Sequence, residues 1–88
     1  MKKITLKSGV ELEINEDITN DMELLDALTE ADEGNGMAIS KICSLIMNKG
    51  EKKKLYDSLR NERGKVEVQT VVDAIMEIFG ELGDTGKN

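Results

Sequence analysis

Apolar and polar residues alternate over the first fourteen positions. Ile4 and Leu6 interleave with Thr5 and Lys7, and Val10, Leu12 and Ile14 interleave with Glu11 and Glu13. A period of two with one apolar face predicts a β-hairpin over 3–14. Ser8-Gly9 supplies its turn, because glycine enters positive φ at no steric cost. Two strands are marginal alone, so the apolar face must rest on helices or on another chain's sheet. Both edges of such a sheet are expected to be open to strand addition.

From residue 20 the period lengthens to that of helices. Asn20 is the expected N-cap, with Glu23 three positions on as in a capping box. Leu24, Ala27, Leu28 and Ala31 then share one face, with Leu25 beside it. Asp32-Glu33-Gly34-Asn35-Gly36 breaks this helix. A second is expected over about 37–48, with Ile39, Ile42, Cys43 and Ile46 as its stripe and Leu45 and Met47 flanking it on opposite sides. At about 100° per residue its apolar arc covers roughly 200°, twice the ~100° of a half-buried helix. Gly50 is expected to close it as a C′ residue. A charged third helix over about 51–63 offers Leu55, Leu59 and Tyr56, and Gly64 ends it. Lys65 to Val68 reads as an extended or turn segment. The fourth helix, about 69–82, has the strongest stripe: Val71, Val72, Ile75, Ile78, Phe79 and Leu82, widened by Met76 to roughly 160°. Gly80 costs about 1 kcal/mol of helix propensity, so fraying is expected from there. The order is α+β, mostly α: an N-terminal β-hairpin followed by about four helices packed as a small bundle. One domain is expected over 1–82, with 83–88 a flexible polar C-terminal tail.

Composition narrows the chemistry. Histidine is absent, so histidine metal ligands and the usual Ser-His or Cys-His pairs are excluded. The single cysteine, Cys43, excludes an internal disulfide and a multi-cysteine zinc site. It lies on an apolar helix face and reads as a core residue. Twelve basic against eighteen acidic residues give a net charge of −6. Such a surface repels a nucleic-acid backbone on average, and aromatics at 2% leave no base-stacking platform. No apolar run approaches the roughly 18 residues of a bilayer span, and Met1-Lys2-Lys3-Ile4-Thr5 lacks a signal-peptide h-region. A cytoplasmic location is therefore expected.

The acidic stretch Asp17, Asp21, Asp26, Glu30, Asp32 and Glu33 contains enough carboxylates for paired-acid or metal chemistry. It reads as a solvated helix face with caps. The glycine-containing loop 32–36 fails EF-hand spacing, with glycine where side-chain oxygens are needed. Lys52-Lys53-Lys54 follows a glycine without Walker spacing, and cations at a helix N-terminus oppose the dipole. Beside the reading as a solvated first turn stands a basic patch for an acidic partner surface. No catalytic residue, cofactor site or metal site is expected. What stands out is apolar surplus on the second and fourth helices. Either both are central helices buried on most sides, or their flanks serve self-association or a client. The residues carrying the second reading are Leu45, Met47, Val72, Met76, Ile78, Phe79 and Leu82.

Taken in order, the segments resemble the tail assembly chaperones of long-tailed, siphovirus-type bacteriophages and prophages. The likeness is carried by the hairpin with its Lys7-Ser8-Gly9 turn and by Thr19-Asn20-Asp21-Met22-Glu23-Leu24-Leu25-Asp26-Ala27-Leu28. It continues in Gly50-Glu51-Lys52-Lys53-Lys54-Leu55-Tyr56-Asp57 running on to Gly64-Lys65-Val66, and in Glu77-Ile78-Phe79 with the polar end Gly86-Lys87-Asn88. Order and size, rather than any single motif, make the resemblance, and it spans nearly the whole chain. It implies no catalysis. It implies a protein that coats the long helical tape measure protein, helps recruit major tail (tube) protein subunits, forms homo-oligomers, works in the host cytoplasm and is absent from the mature virion. It also implies a longer frameshifted product, with which Gly86-Lys87 is compatible. A charge of −6 suits a soluble coat, and avidity along the client suits modest affinity per copy. The rival reading is a small acidic interaction protein of a mobile element, such as an anti-restriction DNA mimic. A small hydrolase or metal enzyme has the least to recommend it.

Overall fold

The computed structural model describes residues 1–85. Strands β1 (Lys2–Thr5) and β2 (Glu11–Ile14) form an antiparallel hairpin in which Ile4 faces Leu12 and Lys3 faces Glu13. Gly9 takes φ +97° in its turn, a value that disfavours any residue with a Cβ. A 3-10 turn over Glu16–Asn20 leads into four helices: α1 (Met22–Asp32), α2 (Met37–Ile46), α3 (Lys49–Leu59) and α4 (Val68–Thr85). The fold is α+β and mostly α, as the periodicities predict.

Several boundaries differ from the sequence reading, each for a local reason. The N-cap of α1 is Asp21, not Asn20. The 3-10 turn carries the chain past Asn20, and Asp21 in extended backbone accepts the Glu23 N–H at 2.7 Å. Gly50 does not close α2. Met47 turns extended (φ −148°, ψ 157°) while its side chain stays buried, and Asn48 then caps α3 by accepting the Glu51 N–H at 2.9 Å. Gly50 thus lies in the first turn of α3. That helix stops at Leu59, short of Arg63, because the Asn61 side chain organises a loop instead. Its Oδ1 accepts the N–H groups of Arg63 and Lys65 at 2.9 and 3.0 Å, and Gly64 closes the loop at φ +79°. Helix α4 continues through Gly80 without fraying and includes Gly83 to Thr85, placed in the tail by the sequence reading. Residues 86–88 lie outside the described residues.

Every strand and helix contributes to one buried cluster. Ile4, Leu6, Leu12 and Ile14 from the hairpin meet Leu24 and Ala27 of α1, Ile42, Cys43 and Ile46 of α2, Leu55 of α3, and Val71, Ala74, Ile75, Ile78 and Leu82 of α4. Three hydrogen bonds clamp the hairpin and the residue after it to the helices. The Lys7 N–H in the turn donates to Glu77 Oε2 of α4 at 2.7 Å. The Glu13 N–H of β2 donates to Glu51 Oε1 of α3 at 2.8 Å, and the Asn15 N–H donates to the Ile46 carbonyl at 2.8 Å. The outer edge of β2 is therefore partly occupied, at Glu13 and just beyond the strand at Asn15, where two open edges were expected. Because Glu13 faces outward there, its partner Lys3 and the alternate residue Thr5 direct their backbone groups to the other edge, that of β1.

Candidate functional site: an apolar groove between helices

Helix α4 carries more apolar side chains than the core takes up. Val71, Ala74, Ile75, Ile78 and Leu82 point inward. On the adjoining face, Val68, Val72 and Met76 stand at i, i+4 and i+8, one above another along the helix. Val68 is 62% exposed and Met76 68%, with Val72 half-buried between them. Helix α1 faces this row with Leu28 and Ala31. These two helices are not among the closely packed pairs; α1 lies chiefly on α2. The result is a cleft of about 300 Å³ walled by Leu28, Ala31 and Asp32 on one side and Val72, Ile75 and Met76 on the other, with Ile39 of α2 also lining it.

Ile39 explains why the cleft is more than surface roughness. It shares the apolar face of α2 with Ile42, Cys43 and Ile46, one turn before the first two, and all three of those are buried. Ile39 itself is only half-buried, because among the described residues none lies over it where α1 and α4 part. Two smaller depressions extend the groove. One shares Leu28 and reaches the exposed Met22 and Leu25. The other shares Ile39 and reaches Tyr56, Val66 and Val68. The three depressions are thus linked through Leu28 and Ile39, and exposed apolar patches of this kind mark interaction surfaces.

The residues singled out in the sequence divide in two. Met47, Ile78 and Leu82 are core, at 3%, 0% and 8% exposure, so they are not surface contacts of this fold. Met47 is drawn in by the extended turn after α2, and Ile78 and Leu82 lie on the inward face of α4. Leu45, Val72 and Phe79 are half-buried, and Met76 is open. Only Val72 and Met76 line the groove. The sequence reading missed Leu28 and Ile39, which it assigned to core stripes; periodicity identifies an apolar face but not whether a neighbour covers it. It also passed over the exposed Met37 and Val68.

Elsewhere the side chains form ties within the chain. Lys52 Nζ donates to Ser40 Oγ at 3.0 Å and Ser44 Oγ at 2.8 Å, and lies 5.7 Å from the centre of the Tyr56 ring. It thereby joins α3 to α2. Lys53 pairs with Asp57 at 2.9 Å and Lys54 with Glu51 at 3.3 Å. The lysine run is thus engaged internally, and Asn48 and Glu51 offset its clash with the helix dipole. Burial pushes the Cys43 thiol above its ordinary pKa, with the Lys52 charge and the Tyr56 hydroxyl acting in the opposite direction. Burial also raises the Tyr56 phenol. Among the described residues no three carboxylate or cysteine side chains converge as a metal site, and no helix is long and apolar enough to cross a membrane. No family model, curated protein or solved structure matches this chain.

Proposed function

We propose that this chain is a non-enzymatic tail assembly chaperone of a long-tailed bacteriophage or prophage. In this reading it coats the tape measure protein and helps recruit tail tube subunits. It acts as a homo-oligomer in the host cytoplasm and is left out of the mature virion. The observation that carries the reading is the uncovered apolar groove over Ile39, on a chain of net charge −6. A groove walled by helices suits a helical client. Its modest size suits weak binding per copy, strengthened by many copies along one long client. The resemblance supplies the identity of that client.

The test is to locate a tape measure gene, which the reading expects beside this one, and to co-express its product with this chain, purifying on a tag carried by the tape measure protein. Retention of this chain is expected. A gene lying away from tail genes, or loss of the chain from a soluble tape measure protein, overturns the reading. The DNA-mimic rival draws support from the carboxylates of α1 and α4. Phosphate mimicry, however, gives no role to Val68, Val72 and Met76 among them, and competition with DNA for a nuclease would be its signature.

A further inference from the structure

The charges of this molecule are sorted by element. Helices α1 and α4, which wall the groove, contain no lysine or arginine between Met22 and Asp32 or between Val68 and Thr85. Helix α1 carries Glu23, Asp26, Glu30 and Asp32 and α4 carries Asp73, Glu77 and Glu81; of these Asp32 lines the groove, and Glu77 is turned to the hairpin. The cations lie elsewhere: Lys2, Lys3 and Lys7 in the hairpin, Lys41 on α2, the group from Lys49 through Lys65 on α3 and its following loop, and Lys87, which lies outside the described residues. An apolar trough with Asp32 in its lining, exposed Asp73 one turn from Met76, and no cation on either wall helix selects by charge as well as by shape, since opposite fields steer a partner and like charges at the rim repel one.

We infer that the groove between α1 and α4 receives an amphipathic helix from another protein, with an apolar stripe flanked by lysine or arginine. A helix fits because the walls are helices and the half-buried Ile39 lies where a further packed element would cover it. A second copy of this chain does not meet the requirement. Its lysine-rich helix, α3, already commits Leu55, Tyr56 and Leu59 to its own core. The outward side of α3 offers Lys53, Lys54 and Asp57, with no apolar stripe to fill the groove. This inference rests on the chaperone reading for the owner of the helix, and on this chain alone for the chemistry of the helix.

Two labelled peptides of about 20 residues, long enough to hold helix, provide the probe. Both carry one leucine stripe; one is flanked by lysine and the other by glutamate. Fluorescence anisotropy with the full chain should show the lysine-flanked peptide binding at least about tenfold more tightly, with the gap narrowing as salt is added. Met76→Glu should weaken that binding by about tenfold or more at unchanged circular dichroism, because Met76 is already open to solvent. The double variant Asp32→Lys/Asp73→Lys should reverse the preference between the peptides. Equal binding of both peptides, binding of neither, or indifference to Met76→Glu overturns the inference. So does concentration-dependent self-association that Met76→Glu abolishes, which would place a second copy in the groove. Selective peptide binding without tape measure co-purification leaves the groove's chemistry standing and removes the chaperone reading. Co-purification with no peptide preference does the reverse.

Discussion

Glu51 has two structural roles at once. Its backbone N–H donates to the capping Asn48 side chain, and its carboxylate accepts the Glu13 N–H while pairing with Lys54. The Glu13 bond first, and Lys54 second, hold the Glu51 carboxyl below its ordinary pKa. Lys53 and then Arg60 do the same for Asp57. A depressed folded-state pKa stabilises the fold above the unfolded value, and that contribution is lost as pH falls through the folded one. Urea midpoints should therefore drop as the solution is acidified below about pH 4. Glu51→Gln should lower the midpoint at pH 7 and converge on the parent protein under acid. Equal displacement at every pH would show that ionisation of Glu51 is not involved. Cys43 makes a second residue-scale prediction. Its thiol is fully buried and its pKa raised, so the thiolate needed for alkylation is scarce. Labelling by iodoacetamide should be slow in buffer and fast in denaturant. Rapid labelling of the native protein would mean that α2 opens readily.

Among the elements, caps and turns decide where each helix begins and ends. Asp21→Ala should cost about 1 kcal/mol in chemical denaturation, because the Glu23 N–H loses its acceptor. Asn20→Ala should change stability by less than about 0.5 kcal/mol. The opposite ranking would put the cap back where the sequence pattern placed it. Element type was legible: strict alternation marked the hairpin, and apolar spacing marked four helices. Boundaries were less so, because Asn20 and Asp21 are both good caps and only the preceding 3-10 turn chooses between them. Likewise Gly50 is a plausible helix end until Asn48 caps the next helix. Of the groove, the sequence disclosed the α4 side through Val72 and Met76. It could not disclose the α1 side, since Leu28 and Ala31 share their period with Leu24 and Ala27, which are buried. Whether such a stripe is covered depends on how far apart two helices are set by residues distant in the chain.

At the scale of the whole molecule, one cluster joins all the elements, and unfolding should be a single cooperative event. Ile78 is central and fully buried, so Ile78→Ala should cost about 2–5 kcal/mol. Met76→Ala, one helical position from the core face, should stay within about 0.5 kcal/mol. A comparable loss at both positions would show that the outer row of α4 is packed and that the groove is closed in solution. The radius of gyration of 12.6 Å is close to the ~12 Å of a well-packed domain this long, so the trough is a feature of a tight fold rather than of a loose one.

The bond from Lys7 to Glu77 links residues seventy positions apart. During synthesis the first two strands leave the ribosome long before their counterpart on the last helix. Until then Ile4, Leu6, Leu12 and Ile14 lack part of their shelter, and a nascent chain halted before residue 68 holds a sticky half-sheet with no lid. Such a fragment is prone to aggregate, so premature termination should yield insoluble material rather than a smaller working unit.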